Sequence, residues 1–109
     1  MHKILVTGAN GFVGASLCES LRDREIPFVG AVRKMAEQSQ FEVGELNGAT
    51  NWIKALSGCD VVIHLAARVH VMDDTSADPL KDFRVVNVEA TLNLARQAVQ
   101  CGVKRFIFV

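Results

Sequence analysis

The chain has 109 residues, 50% of them apolar, and 12 basic residues balance 12 acidic ones for a formal net charge of zero. That length allows one domain with a real core, and the balance excludes a disordered chain, a basic nucleic-acid surface and a membrane-surface patch. No apolar stretch reaches transmembrane length, and the N-terminus reads directly as a strand, so no secretory leader is expected.

The first strand is the apolar run Ile4-Leu5-Val6. Thr7-Gly8-Ala9-Asn10-Gly11-Phe12-Val13-Gly14 follows and opens a predicted helix with apolar residues at Val13, Leu17 and Leu21. Strand, glycine turn and helix come in the order that a dinucleotide-binding site needs. One glycine lets the chain turn off the strand, one lets backbone approach a pyrophosphate, and one lets the helix pack close to the sheet. Phosphates then meet unpaired N–H groups at the helix N-terminus, where the helix dipole favours negative charge. Gly8, Asn10, Gly11, Phe12, Val13 and Gly14 are therefore candidate cofactor-binding residues; the alternative is a purely structural turn.

After a charged exit at Arg22-Asp23-Arg24-Glu25, Ile26 to Val32 reads as the second strand, with Pro27 at its start, where a missing N–H is tolerated. Gln40 to Leu46 is a weaker third strand, and Asn51 to Leu56 a short helix ended by Ser57-Gly58. Asp60 to Ala67 contains the run Val61-Val62-Ile63-His64-Leu65, as in a strand buried on both faces of a parallel sheet. A polar stretch runs from Arg68 to Asp78, and Asp78-Pro79 reads as the N-cap and first residue of a helix. Val86, Ala90, Leu94 and Ala98 step by four along one face of that helix, which reaches to about Cys101. Gly102 stops it, and Val103 to Val109 forms a fifth strand. Strands alternating with helices predict a doubly wound, parallel α/β sheet. Cys18, Cys59 and Cys101 lack disulfide or zinc spacing and read as small core residues in a reducing cytoplasm, with no metal site.

In such sheets ligands bind at the carboxyl ends of the strands, near the point where strand order reverses. An NAD-preferring site usually carries an acid at the end of the second strand. Here Val32-Arg33-Lys34 stands there instead, and a guanidinium with an adjacent ammonium suits a ribose phosphate, which favours NADP over NAD. The alternative is a solvated basic turn.

The spacing Gly-x-x-Gly-x-x-Gly behind Thr7 resembles the extended short-chain dehydrogenase/reductase family, in its branch of nucleotide-sugar epimerases, dehydratases and 4-keto reductases. Three further stretches carry the resemblance. Gly44-Glu45-Leu46 is similar to the family's Gly-Asp-Leu, which implies that Glu45, one methylene longer, and Leu46 meet the adenine. His64-Leu65-Ala66-Ala67 resembles its His-x-Ala-Ala, which implies that backbone at Leu65, Ala66 and Ala67 passes beside the nicotinamide ribose and pyrophosphate. His64 itself reads as a structural, hydrogen-bonded histidine. Asn87-Val88-Glu89-Ala90-Thr91 resembles Asn-Val-x-Gly-Thr, which implies that the Asn87 amide ties the long helix to the cofactor-bearing strands. The stretch from Ala67 to Asp74, with Asp78-Pro79-Leu80, also looks like a bacterial subgroup working on nucleotide-linked amino or deoxy sugars.

The resemblance implies a Rossmann-like domain truncated after its fifth strand. It also implies hydride chemistry at C4 of a UDP-linked hexose, by a tyrosine whose pKa a lysine lowers and a serine that orients substrate. The chain contains no tyrosine. It reads as the N-terminal cofactor-binding part of a longer enzyme, without the catalytic serine, tyrosine and lysine or the substrate subdomain, and inactive by itself. A non-catalytic NADP-sensing module and a structural half-domain without cofactor are the other readings. Family members commonly dimerise through the long helix and its successor, so a homodimer or a self-associating fragment is expected, with no nucleic-acid or membrane partner.

Overall fold

A computed structural model describes residues 3–35, 40–66 and 85–109. Its sheet has five parallel strands in the order β3-β2-β1-β4-β5, with β1 (Ile4–Thr7), β2 (Phe28–Val32), β3 (Gln40–Glu42), β4 (Val61–His64) and β5 (Arg105–Phe108). The chain builds outward from β1 to β3, then returns to the other side of β1 to lay down β4 and β5. The reversal therefore falls between β1 and β4. This is the predicted doubly wound α/β sheet, with the Rossmann strand order.

Alternation along the strands divides the core between two faces. Val6 and Val32 join Ala9, Cys18 and Leu21 under helix α1 (Phe12–Asp23). Leu5, Ala31 and Val62 point to the opposite face, where they meet α2 (Ile53–Leu56) and α3 (Ala90–Gln100) around Trp52, Leu56, Leu94 and Ala98. The strand starts are pinned by Asp60. Its carboxylate accepts the Lys3 N–H at 2.8 Å, and its carbonyl accepts the N–H groups of Lys104 and Arg105.

The elements are shorter than their sequence patterns. Ile26 and Pro27 precede β2, and the Pro27 carbonyl accepts the Ile4 N–H. β3 ends at Glu42 because the chain turns at Gly44, whose φ is +75°, after which the Glu45 carbonyl is taken by the Thr50 hydroxyl at 2.6 Å. The buried face of α1 is Gly14, Cys18 and Leu21, with Leu17 packed at its side; Val13 is exposed instead of leading the apolar stripe. A π-helical turn, Val85–Glu89, runs directly into α3, where Ala90, Leu94 and Ala98 are buried as their spacing predicts. The Val86 side chain, Ala67, the Arg68–Asp78 stretch, and Asp78-Pro79-Leu80 lie outside the described residues.

The three cysteines are free, with Cys18 and Cys59 buried. Burial pushes the Cys59 thiol up, against the pull of Lys3. No group of three metal-ligating side chains exists among the described residues, and no helix among them is long and apolar enough to cross a membrane.

Candidate functional site

The carboxyl ends of β1, β2 and β4 open onto a cleft of about 620 Å³. Its first wall is the glycine turn. Gly8 takes φ +65° directly after β1, and a Cβ there would stand 2.9 Å from the Ala66 backbone nitrogen. Only glycine combines that left-handed turn with so close an approach of the two strand ends. Gly14, in the first turn of α1, faces the carbonyl of Gly8 so closely that a Cβ would overlap its oxygen. The helix thus starts hard against the turn.

Gly11 is the N-cap of α1. No side chain caps the first turn and no acidic residue stands in it. The leading N–H groups of a helix have no partner inside it, so this end presents donors and the positive end of the helix dipole to the cleft. Asn10, Phe12 and Val13 line the same wall, with Phe12 almost fully exposed.

The opposite end of the cleft is cationic at its rim and apolar at its floor. Arg33 and Lys34 follow β2, above Ala31, Val32, Val43, Leu46 and Trp52. The ring nitrogen of Trp52 is buried without a hydrogen-bond partner. Sequence patterns left the end of β2 without a carboxylate, yet folding brings one there from the far side of β3. Glu45 Oε1 lies 3.8 Å from Arg33 Nη2, both side chains largely exposed.

The third wall is the turn after β4, and buried Thr7 holds it. Its hydroxyl oxygen accepts the N–H groups of Leu65 and Ala66, each at 3.0 Å. With both lone pairs used, its one hydrogen is left for His64 Nδ1, 2.6 Å away. Donor counting thus assigns the remaining imidazole proton to Nε2, which donates to Thr91 Oγ1 on α3 at 3.0 Å. Phe106 and Phe108 flank the ring at 6.0 and 5.7 Å between centroids. Burial pushes the His64 pKa down to about 4, so the ring is neutral near pH 7. It is structural and hydrogen-bonded, as its place in the sequence suggests.

Of the residues singled out by sequence, Gly8, Asn10, Gly11, Phe12, Val13, Gly14, Arg33, Lys34, Leu46, Leu65 and Ala66 line this one cleft. Glu45 stands at its rim beside Arg33. Asn87 is half-buried in the π-helical turn, away from the lining. Ala67 lies outside the described residues. The floor residues Val43 and Trp52 escaped sequence reading; the signal available was that the chain's one tryptophan directly follows the loop after β3. Chemically, the arrangement offers backbone donors to an anion at the α1 end, a flat apolar floor to a ring system, and two cations at the far rim.

The chain belongs to the NAD dependent epimerase/dehydratase family, whose model it matches over residues 4–109. It is 47% identical over 110 residues to a UDP-glucose 4-epimerase of Vibrio cholerae, covering 97% of this chain and 34% of that relative. Among solved structures, a short-chain dehydrogenase/reductase of Agrobacterium tumefaciens with bound NAD superposes with a TM-score of 0.80 at 34% identity, over 98% of this chain and 32% of that one. MoeE5, in complex with UDP-glucuronic acid and NAD, gives 0.78 at 30% identity over 97% of this chain and 36% of its own. The chain thus spans about a third of the length of the relatives it matches.

Proposed function

We propose that this chain is the dinucleotide-binding part of a nucleotide-sugar epimerase or 4-keto reductase that works by hydride transfer at C4 of a UDP-linked hexose. The observation that supports it most is the uncapped N-terminus of α1, packed through Gly14 against Gly8 and open to the same cleft as Leu65 and Ala66. The residues fit the cofactor. First-turn amides of α1 bind the pyrophosphate, Leu46, Val43 and Trp52 receive the adenine, and the turn at Leu65 and Ala66 borders the nicotinamide half. When bound, the nicotinamide supplies a site that accepts and returns a hydride.

Arg33 and Lys34 favour NADP, because a guanidinium binds a ribose phosphate through two parallel hydrogen bonds. Asn87 positions the start of α3 against the cofactor strands. The serine, tyrosine, lysine and sugar-binding parts of the activity belong to a longer protein, so the 109-residue chain is inactive alone. It is a cytoplasmic protein that works as a homodimer.

The test exploits Trp52, the chain's one tryptophan, on the cleft floor. Titration with NADH or NADPH should quench its emission by energy transfer to the nicotinamide, with NADPH binding more tightly. An unchanged emission and melting temperature with both nucleotides would overturn the reading in favour of a structural half-domain. With the longer protein, inversion at C4 without net cofactor consumption identifies an epimerase, and stoichiometric NADPH oxidation a reductase. Arg33 and Lys34 at the rim also suit one second reading, a non-catalytic NADP-sensing module, for which NADPH binds and the longer protein turns over no UDP-hexose.

A further inference from the structure

The loop between β3 and α2 carries three cleft-floor residues, Val43, Leu46 and Trp52. Its start is tied to β2, where the Val43 N–H donates to the Val32 carbonyl and the Gly44 N–H to the Arg33 carbonyl, and beyond Gly44 it leaves the sheet. Within itself it closes a small turn: Thr50 Oγ1 donates to the Glu45 carbonyl and accepts the Asn47 N–H, and Asn47 Oδ1 accepts the Ala49 N–H. Around that turn its backbone is also held by two amides of α3, one helical turn apart. Asn93 Nδ2 donates to the carbonyls of Thr50 at 2.8 Å and Asn47 at 3.3 Å. Gln97 Nε2 donates to the Thr50 carbonyl at 2.8 Å and to Asn93 Oδ1 at 2.7 Å, and Gln97 Oε1 accepts the Trp52 N–H at 2.7 Å. Asn93 is buried among Ala90, Leu94 and Ala98, where an amide costs stability unless its groups are paired.

We infer that Asn93 and Gln97 form a positioning clamp for the adenine-side wall of the cleft. Neither lines the cleft. They act through Leu46 and Trp52, whose distance from the sheet they set by holding the backbone on both sides of Thr50. One face of α3 therefore fixes the position of a wall that lies two strands away from the glycine turn. A side chain that only filled the core would pack there without amides; the paired donors and acceptor match the loop backbone group by group. The clamp rests on the nucleotide reading of the cleft given above.

The experiment compares Gln97→Met with the wild-type chain. This variant keeps the side-chain length and removes all three Gln97 bonds. Affinities are measured at low temperature, where both proteins are folded, for NADH, ADP and inorganic pyrophosphate. The clamp requires that NADH and ADP weaken about fivefold or more while pyrophosphate stays within twofold, and that acrylamide reaches Trp52 more readily with far-UV dichroism unchanged. A role in stability alone would lower the melting temperature and leave all three affinities untouched, and that result overturns the clamp. Gln97→Glu keeps the acceptor for the Trp52 N–H and loses the donor to Thr50. Its second carboxylate oxygen faces two acceptors, the Thr50 carbonyl and Asn93 Oδ1, so it should weaken NADH and ADP at least as much as methionine does, and it decides the question if the methionine variant does not fold. Failure of the wild-type chain to bind ADP or pyrophosphate would instead overturn the nucleotide reading, and the clamp with it.

Discussion

Thr7 and His64 face each other in the β1–β4 register and share a 2.6 Å hydrogen bond in which the threonine donates. The threonine hydroxyl is also the anchor of the Leu65–Ala66 turn. A single buried proton position thus ties the end of the central strand to the wall across the cleft.

The burial of His64 makes the protein's stability depend on pH in a definite direction. His64 titrates near 6.5 when unfolded and about 4 when folded, because burial disfavours its charged form. The unfolded chain therefore binds more protons between those values, and stability is full above pH 6.5 and lost as pH falls toward 4. The loss is of the order of 3 kcal/mol. Urea unfolding at pH 7.5 and pH 5 should show about 2 kcal/mol of this drop, and His64→Gln should flatten the profile while lowering stability at neutral pH.

Gly14→Ala places a methyl against the Gly8 carbonyl, so α1 must move away from the turn. We expect a loss of roughly 1–3 kcal/mol from the strain together with loss of NADH binding. Thermal melts and energy transfer from Trp52 measure the two effects separately.

Glu45 and Arg33 form an exposed pair, which contributes little to stability but places a carboxylate where a ribose phosphate would approach. Arg33→Ala is expected to weaken NADPH about tenfold and NADH less than twofold, since a charge-assisted bond contributes ~1.5–3 kcal/mol. Glu45→Gln should shift the NADPH-to-NADH affinity ratio the other way by a fewfold, and added salt should shrink both effects.

The outer side of α3 and the turn before it expose Val88, Leu92 and Val99. Apolar surface on one helix face favours self-association. Light scattering over a concentration series should show a rising mean mass for the wild-type chain, and Leu92→Lys should reduce that rise without lowering the melting temperature.

Much of the fold was legible in the sequence because its signals are local. The glycine turn behind Ile4-Leu5-Val6, the buried run at Val61 to His64 and the Ala90, Leu94, Ala98 stripe each specify their element through neighbours in the chain. What was hidden depends on distant partners. Asn93 and Gln97 look like solvated helix amides until the Thr50 carbonyl is brought to them. The carboxylate missing after β2 is supplied by Glu45, beyond a whole further strand. Val13 matched the four-residue step of a core stripe, but the close packing of Gly14 rotates α1 so that Val13 meets the cleft instead.

The strand order carries a last consequence, for how the molecule comes together. β1, which precedes the other four strands in the chain, lies at the centre of the sheet, and Ile4 must wait for Val61 to complete its pairing. Contacts that distant in sequence are slow to form, because a long loop must close before they stabilise anything. β1, α1 and β2 can associate early through nearby contacts, whereas the Thr7–His64 bond and the Gly8–Ala66 approach arise only when β4 docks. The cleft is therefore a late product of folding, and a growing chain that has not yet reached Ala66 has the glycine turn but nothing for it to face.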